Sequence, residues 1–115
     1  MQTIELDDAH FETISQKTHN LFWLDFWGEE CDACETVSSW IEHLPARFAD
    51  QITIGKINVY QNKGLIKRFA VTRIPTFLFL AEGQEKHRQT AQLSETDLHH
   101  LLDSLLEKAT QLEIE

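Results

Sequence analysis

Apolar residues recur along the chain with two different periods, and their alternation marks out a run of short elements. Thr3 to Leu6 reads as a first strand. Asp7 or Asp8 is placed to cap a following helix, with Phe11 and Ile14 on one face and Ala9 beside them, ending near Asn20. Leu21-Phe22-Trp23-Leu24-Asp25-Phe26-Trp27 is then almost continuously apolar, and Gly28 ends it. A run this short and aromatic suits a central strand buried on both faces. Asp25 is the anomaly inside it. From Cys31 to Ala49 the period becomes helical, with Val37, Trp40, Ile41, Leu44 and Phe48 three or four residues apart. Pro45 is expected to kink or interrupt that helix. Ile52 to Tyr60 alternates imperfectly and reads as a strand, and Lys63 to Ala70 as a short helix with Leu65, Ile66 and Phe69 inward.

Thr76 to Leu80 is a further apolar strand, Glu82-Gly83-Gln84 a hairpin turn, and Glu85 to Thr90 a polar returning edge strand. Ser94-Glu95-Thr96-Asp97 is a capping-box sequence. It opens a last helix with Leu98, Leu101, Leu102, Leu105, Leu106 and Leu112 on its inner side, a core stripe rather than a partner-binding zipper. The order βαβαβα followed by ββα predicts an α/β fold: a central mixed sheet flanked by helices on both faces. The 115 residues fit one domain, 1–115, able to bury a core without staples.

Composition narrows the class. With 42% hydrophobic and 25% charged residues, disorder is a poor description. A formal net charge of −9 argues against binding nucleic acid or anionic lipid, both of which need a basic surface. No apolar stretch is long enough to span a bilayer. The first residues carry neither a basic region nor an apolar run, so a cytoplasmic location is expected. The six histidines are scattered, none of them between the cysteines, and most are expected at solvated positions.

The two cysteines, Cys31 and Cys34, are separated by two residues. In a reducing compartment such a pair points to redox chemistry or to metal binding. A zinc site needs three or four ligands, and no second C-x-x-C or paired-histidine motif is present, so no metal is expected. At the first turn of a helix a pair at this spacing can close a disulfide, and the free N–H groups and partial positive charge there stabilise a thiolate. A buried Asp25 would have a raised pKa and move protons near neutral pH. The plainer alternative has it facing solvent at a strand end.

Four features in this order resemble the thioredoxin family over nearly the whole chain. Leu24-Asp25-Phe26-Trp27 leads into Cys31-Asp32-Ala33-Cys34; Lys56-Ile57-Asn58-Val59 fits the next strand; Val71-Thr72-Arg73-Ile74-Pro75-Thr76 matches the loop with a cis proline; and a strand, a Gly turn, a strand and a helix close the domain. The resemblance implies the thioredoxin fold and a thiol–disulfide oxidoreductase that reduces protein disulfides. Cys31 would be the attacking nucleophile and Cys34 the resolving thiol. Asp25 would be the proton acceptor behind Cys34, modulated by the nearby Lys56. Trp27, Glu30, Asp32, Ala33, Ile74 and Pro75 would meet the substrate, with Ile74 pairing through its backbone. No bound cofactor is implied beyond the redox disulfide. The implied partners are protein disulfides and an upstream reductase, and a monomer is expected. The competing reading is a thioredoxin-fold protein-binding or chaperone-like module in which the cysteines are dispensable.

The departures from the family are specific. Glu30-Cys31-Asp32-Ala33-Cys34 replaces the usual Trp-Cys-Gly-Pro-Cys, so Glu30 stands where an exposed Trp is common. Ser39 stands in place of a kink-forming proline, and Ala91 near a usual glycine of the docking groove. Glu30 and Asp32 flank the nucleophile, with Glu29 and Glu35 close by. Negative charge there opposes a Cys31 thiolate while the helix terminus favours it. A reducing protein with its own, narrower partner set is the expectation.

Overall fold

The structure is a computed structural model that describes residues 3–90 and 93–114, the last six by backbone alone. In chain order the elements are β1 (Thr3–Leu6), α1 (Phe11–Lys17), β2 (Leu21–Trp27), α2 (Asp32–Glu42), β3 (Ile52–Asn58), α3 (Lys63–Phe69), β4 (Thr76–Ala81), β5 (Gln84–Thr90) and α4 (Glu95–Ile114). A short 3-10 turn, Ala46–Phe48, lies between α2 and β3. The strands form one mixed sheet in the order β1-β3-β2-β4-β5. β1 and β2 run parallel to β3, whereas β4 is antiparallel to β2 and to β5. The expected order and α/β class are both observed.

Because side chains alternate along a strand, β2 divides itself between two cores. Phe22, Leu24 and Phe26 join Leu6, Ile57, Leu78 and Leu80 beneath α1 and α3, which contribute Phe11 and Leu65. Leu21 and Trp23 join Ile54, Phe77 and Phe79 beneath α2 and α4, which contribute Val37, Ile41, Leu98 and Leu102. Trp23 is fully buried, with the Phe77 and Phe79 ring centres 5.2 and 5.6 Å from its own. Burial on both faces explains why this strand reads as an unbroken apolar run.

The structure corrects several local expectations. Neither aspartate caps α1 in the ordinary way: the N-cap is His10, without a side-chain cap bond, and Asp7 Oδ1 accepts from its N–H at 2.8 Å. Asp8 instead caps α3 across the fold, accepting from the N–H groups of Gly64 at 3.0 Å and Leu65 at 2.8 Å. Ala9 is exposed and outside the helix. α2 stops at Glu42, short of Pro45, because a proline disfavours helical backbone in the residue before it. β3 ends at Asn58, leaving Tyr60 in a turn. The capping box is as expected: Asp97 N–H donates to Ser94 Oγ at 3.0 Å and Ser94 N–H to Asp97 Oδ2 at 3.2 Å. Glu82 and Gly83 form the two-residue hairpin loop, both with positive φ. Ala91 and the side chain of Leu112 lie outside the described residues.

Candidate redox site

β2 leaves the sheet at Gly28, and within three residues the chain enters α2. A Cβ at Gly28 would lie 2.7 Å from Ile74 Cδ1 and 2.8 Å from Tyr60 Cε2, so either side chain would have to move to admit one. This close approach brings the Val71–Pro75 loop against the strand exit. Glu30 then adopts a left-handed backbone (φ 55°) and turns the chain into the helix. Cys31 is the N-cap of α2, and its Sγ accepts from the N–H of Cys34 at 3.1 Å. The two cysteines are joined as a disulfide, with Cα atoms 5.2 Å apart, inside the range such a bond requires. Cys31 is partly exposed and Cys34 is buried. The Ile74–Pro75 peptide bond is cis.

Asp25 lies on the α2 side of β2 and is 1% exposed, so the solvent-facing alternative is wrong. Its Oδ1 has no hydrogen-bond partner among the described residues. Burial pushes the carboxyl up to about 7; the Lys56 cation opposes that rise, and Glu5 adds to it. Lys56 is the β3 residue paired with Asp25, and Glu5 is its partner on β1. The ammonium of Lys56 does not close on the carboxylate. It donates to Ser38 Oγ on α2 at 2.7 Å and sits 5.6 Å from the centre of the Trp27 ring.

The residues expected to meet substrate are distributed over separate clefts. Trp27 and Glu30 line one of about 450 Å³ together with Cys34, Ser38, Glu42 and Lys56. Ala33 and Pro75 line a second, of about 220 Å³, with Val37, Trp40, Phe77 and Leu93. Ile74 lines a third, of about 210 Å³, with Val59, Tyr60 and Arg73. Asp32 is exposed at the start of α2 and lines none of the three. Sequence reasoning missed Ser38 and Tyr60. Ser38 follows Cys34 by four residues and so shares its helix face, a signal that was present. Tyr60 is 66% exposed beside the strand exit, and nothing local in the sequence separates it from an ordinary turn residue.

A helix-capped disulfide, a buried carboxyl on the strand that leads into it and a cis-proline loop at that strand's exit form a recognisable constellation. The family model described as Thioredoxin matches residues 2–104. The chain belongs to the thioredoxin family. It is 29% identical over 102 residues to a thioredoxin of Haemophilus influenzae, covering 89% of this chain and 95% of that one. It is 30% identical over 101 residues to a thioredoxin of Acidithiobacillus ferridurans (88% and 94%) and 28% identical over 100 residues to one of Rhodospirillum rubrum (87% and 96%). With the Cys31–Cys34 disulfide in place, this thioredoxin-family protein is a thiol–disulfide oxidoreductase, a disulfide reductase in the family's sense. Family membership implies protein disulfides as substrates and a reductase as donor. Among the described residues no group of three or more His, Cys, Asp or Glu is arranged to hold a metal ion. No helix among them is long and apolar enough to cross a membrane.

Proposed function

We propose that Cys31 and Cys34 carry the reaction in turn, with Asp25 handling the proton. In the reduced protein the Cys31 thiolate attacks one sulfur of a substrate disulfide. The substrate S–S bond breaks, a mixed disulfide forms, and the first substrate sulfur leaves as a thiolate that takes a proton. Cys34 then gives its proton to the Asp25 carboxylate and attacks Cys31 Sγ. The Cys31–Cys34 bond closes, and the second substrate sulfur leaves. Two electrons have passed from the dithiol to the substrate; an upstream reductase returns them. The observation that carries this reading is the partly exposed Cys31 capping α2, with the buried Cys34 on that helix and a buried carboxyl raised to about 7 on the strand that leads into it.

Lys56 modulates Asp25 in this scheme. Trp27, Glu30, Asp32 and Ala33 meet the substrate on the helix side, and Ile74 and Pro75 on the loop side. The carboxylates of Glu30 and Asp32 beside the nucleophile favour a reducing protein with a Cys31 pKa above that of strongly oxidising relatives. The protein acts as a monomeric single domain in the cytoplasm, without a bound cofactor and without nucleic acid or membrane partners.

The test is a Cys34→Ser variant incubated with a protein disulfide. The mixed disulfide then has no resolving thiol, so a covalent adduct through Cys31 accumulates and dithiothreitol releases it. Absence of an adduct, with binding retained, would favour the protein-binding module instead.

A further inference from the structure

One hydrogen bond in the cleft beside the disulfide has no part in the exchange steps above. Lys56 and Asp25 are paired neighbours on parallel strands, and strand alternation turns both side chains toward α2. Adjacent strands lie about 4.8 Å apart, so a lysine beginning there has the length to fold back onto the carboxylate. It extends instead to α2, where Ser38 Oγ accepts its Nζ at 2.7 Å. Ser38 stands one helical turn beyond Cys34 and lines the same cleft.

We propose that Ser38 is a positioning residue for the proton-accepting step: its hydroxyl anchors the Lys56 ammonium on α2 and holds it off the Asp25 carboxyl. This rests on the reading of Asp25 as the proton acceptor. An ammonium brought into contact with a buried carboxyl favours its ionised form more strongly than one held further off, because the attraction grows as the separation falls. A carboxylate clamped in that way binds a proton poorly near neutral pH. Anchored on Ser38, the cation still acts on Asp25 through space without forming a contact pair. The other elements packed around Asp25 supply little else to compete. β1 presents Glu5, and β4 presents the uncharged Phe77 as the antiparallel neighbour of Asp25. Glu29, Glu30, Glu35 and Glu42 line the same cleft as Lys56, and none of them forms an ion pair with it.

The test is a carboxyl NMR titration of Asp25 in the full chain, paired with the pH profile of mixed-disulfide resolution. Ser38→Ala frees the ammonium, and the Asp25 midpoint is expected to fall by about one pH unit, the low end of what a contacting opposite charge does. The resolution profile should move with it. Ser38→Thr keeps a hydroxyl and should restore both. In a Lys56→Met background, Ser38→Ala should have no further effect, because the coupling runs through the lysine. A midpoint that stays in place or rises in Ser38→Ala overturns the proposal, as does an equal shift when Lys56 is already gone. Asp25→Asn separates the two layers. A resolution profile unchanged by Asp25→Asn removes the proton acceptor itself; a changed one, with Ser38→Ala silent, removes only the role of Ser38.

Discussion

Leu24, Phe26 and Ile57 on one face of the sheet, and Trp23, Asp25 and Lys56 on the other, come from the same two strands. The first group is sealed under α1 and α3 in an apolar cluster, bordered on β4 by the buried Thr76, which pairs with Phe26. That face is packed so closely that Gly55 admits no Cβ, which would run into the Leu6 side chain and lie 3.2 Å from the Phe22 ring. The second face is equally apolar as far as Trp23. One pleat further on, where the strands approach the start of α2, it turns over to a carboxyl and an ammonium. Neighbouring positions on one backbone thus carry close apolar packing on one side and a buried carboxyl beside an ammonium on the other. Ligand chemistry at the carboxyl ends of parallel strands, beside a helix N-terminus, is a general habit of open α/β sheets.

The contrast is sharpest in how each face responds to pH. Asp25 has a folded-state pKa of about 7, above its unfolded value of 3.8. From about pH 4 to about pH 7 the native state therefore holds a proton that the unfolded chain has released, and stability falls as pH rises through that window. Asp25→Asn removes this dependence. The variant should gain about 4 kcal/mol relative to the parent between about pH 4 and about pH 8, read from urea unfolding of the oxidised protein. Parallel stability curves for the two proteins would erase the distinction between the faces. A smaller effect is expected on the closed face. Gly55→Ala should cost about 1–3 kcal/mol by overpacking against Leu6 and Phe22, by the same amount at every pH. A cost that changed with pH would mean that the two faces are coupled through β3.

Much of this was legible in the chain. β2 and β4 declared themselves as continuous apolar runs because both of their faces are covered. The Ser94–Asp97 box worked because its two hydrogen bonds are local. Asp25 stood out because a carboxyl inside such a run has nowhere polar to go. Long-range partnerships were not legible. Asp8 caps a helix more than fifty residues away, and no local pattern distinguishes it from a cap for the helix that follows. The division of Trp27, Ala33 and Ile74 among three clefts depends on how the Val71–Pro75 loop meets the strand exit. At that meeting Ile74 and the ring of Tyr60 pack into the space that a Cβ on Gly28 would occupy. The role of Ser38 could have been read from helical spacing, but only once Lys56 was known to point toward the same helix.

The central claim is that Cys31 and Cys34 cycle between dithiol and disulfide in a reducing protein. The most direct test equilibrates the protein in dithiothreitol and glutathione redox buffers and follows tryptophan fluorescence, since Trp27 lines the cleft with Cys34. The account predicts a reversible two-electron transition at a potential near or below about −230 mV, absent when either cysteine is replaced by serine. A much higher potential would contradict the reducing role, and no transition, with both thiols shown by mass to be unreactive, would contradict the redox function altogether.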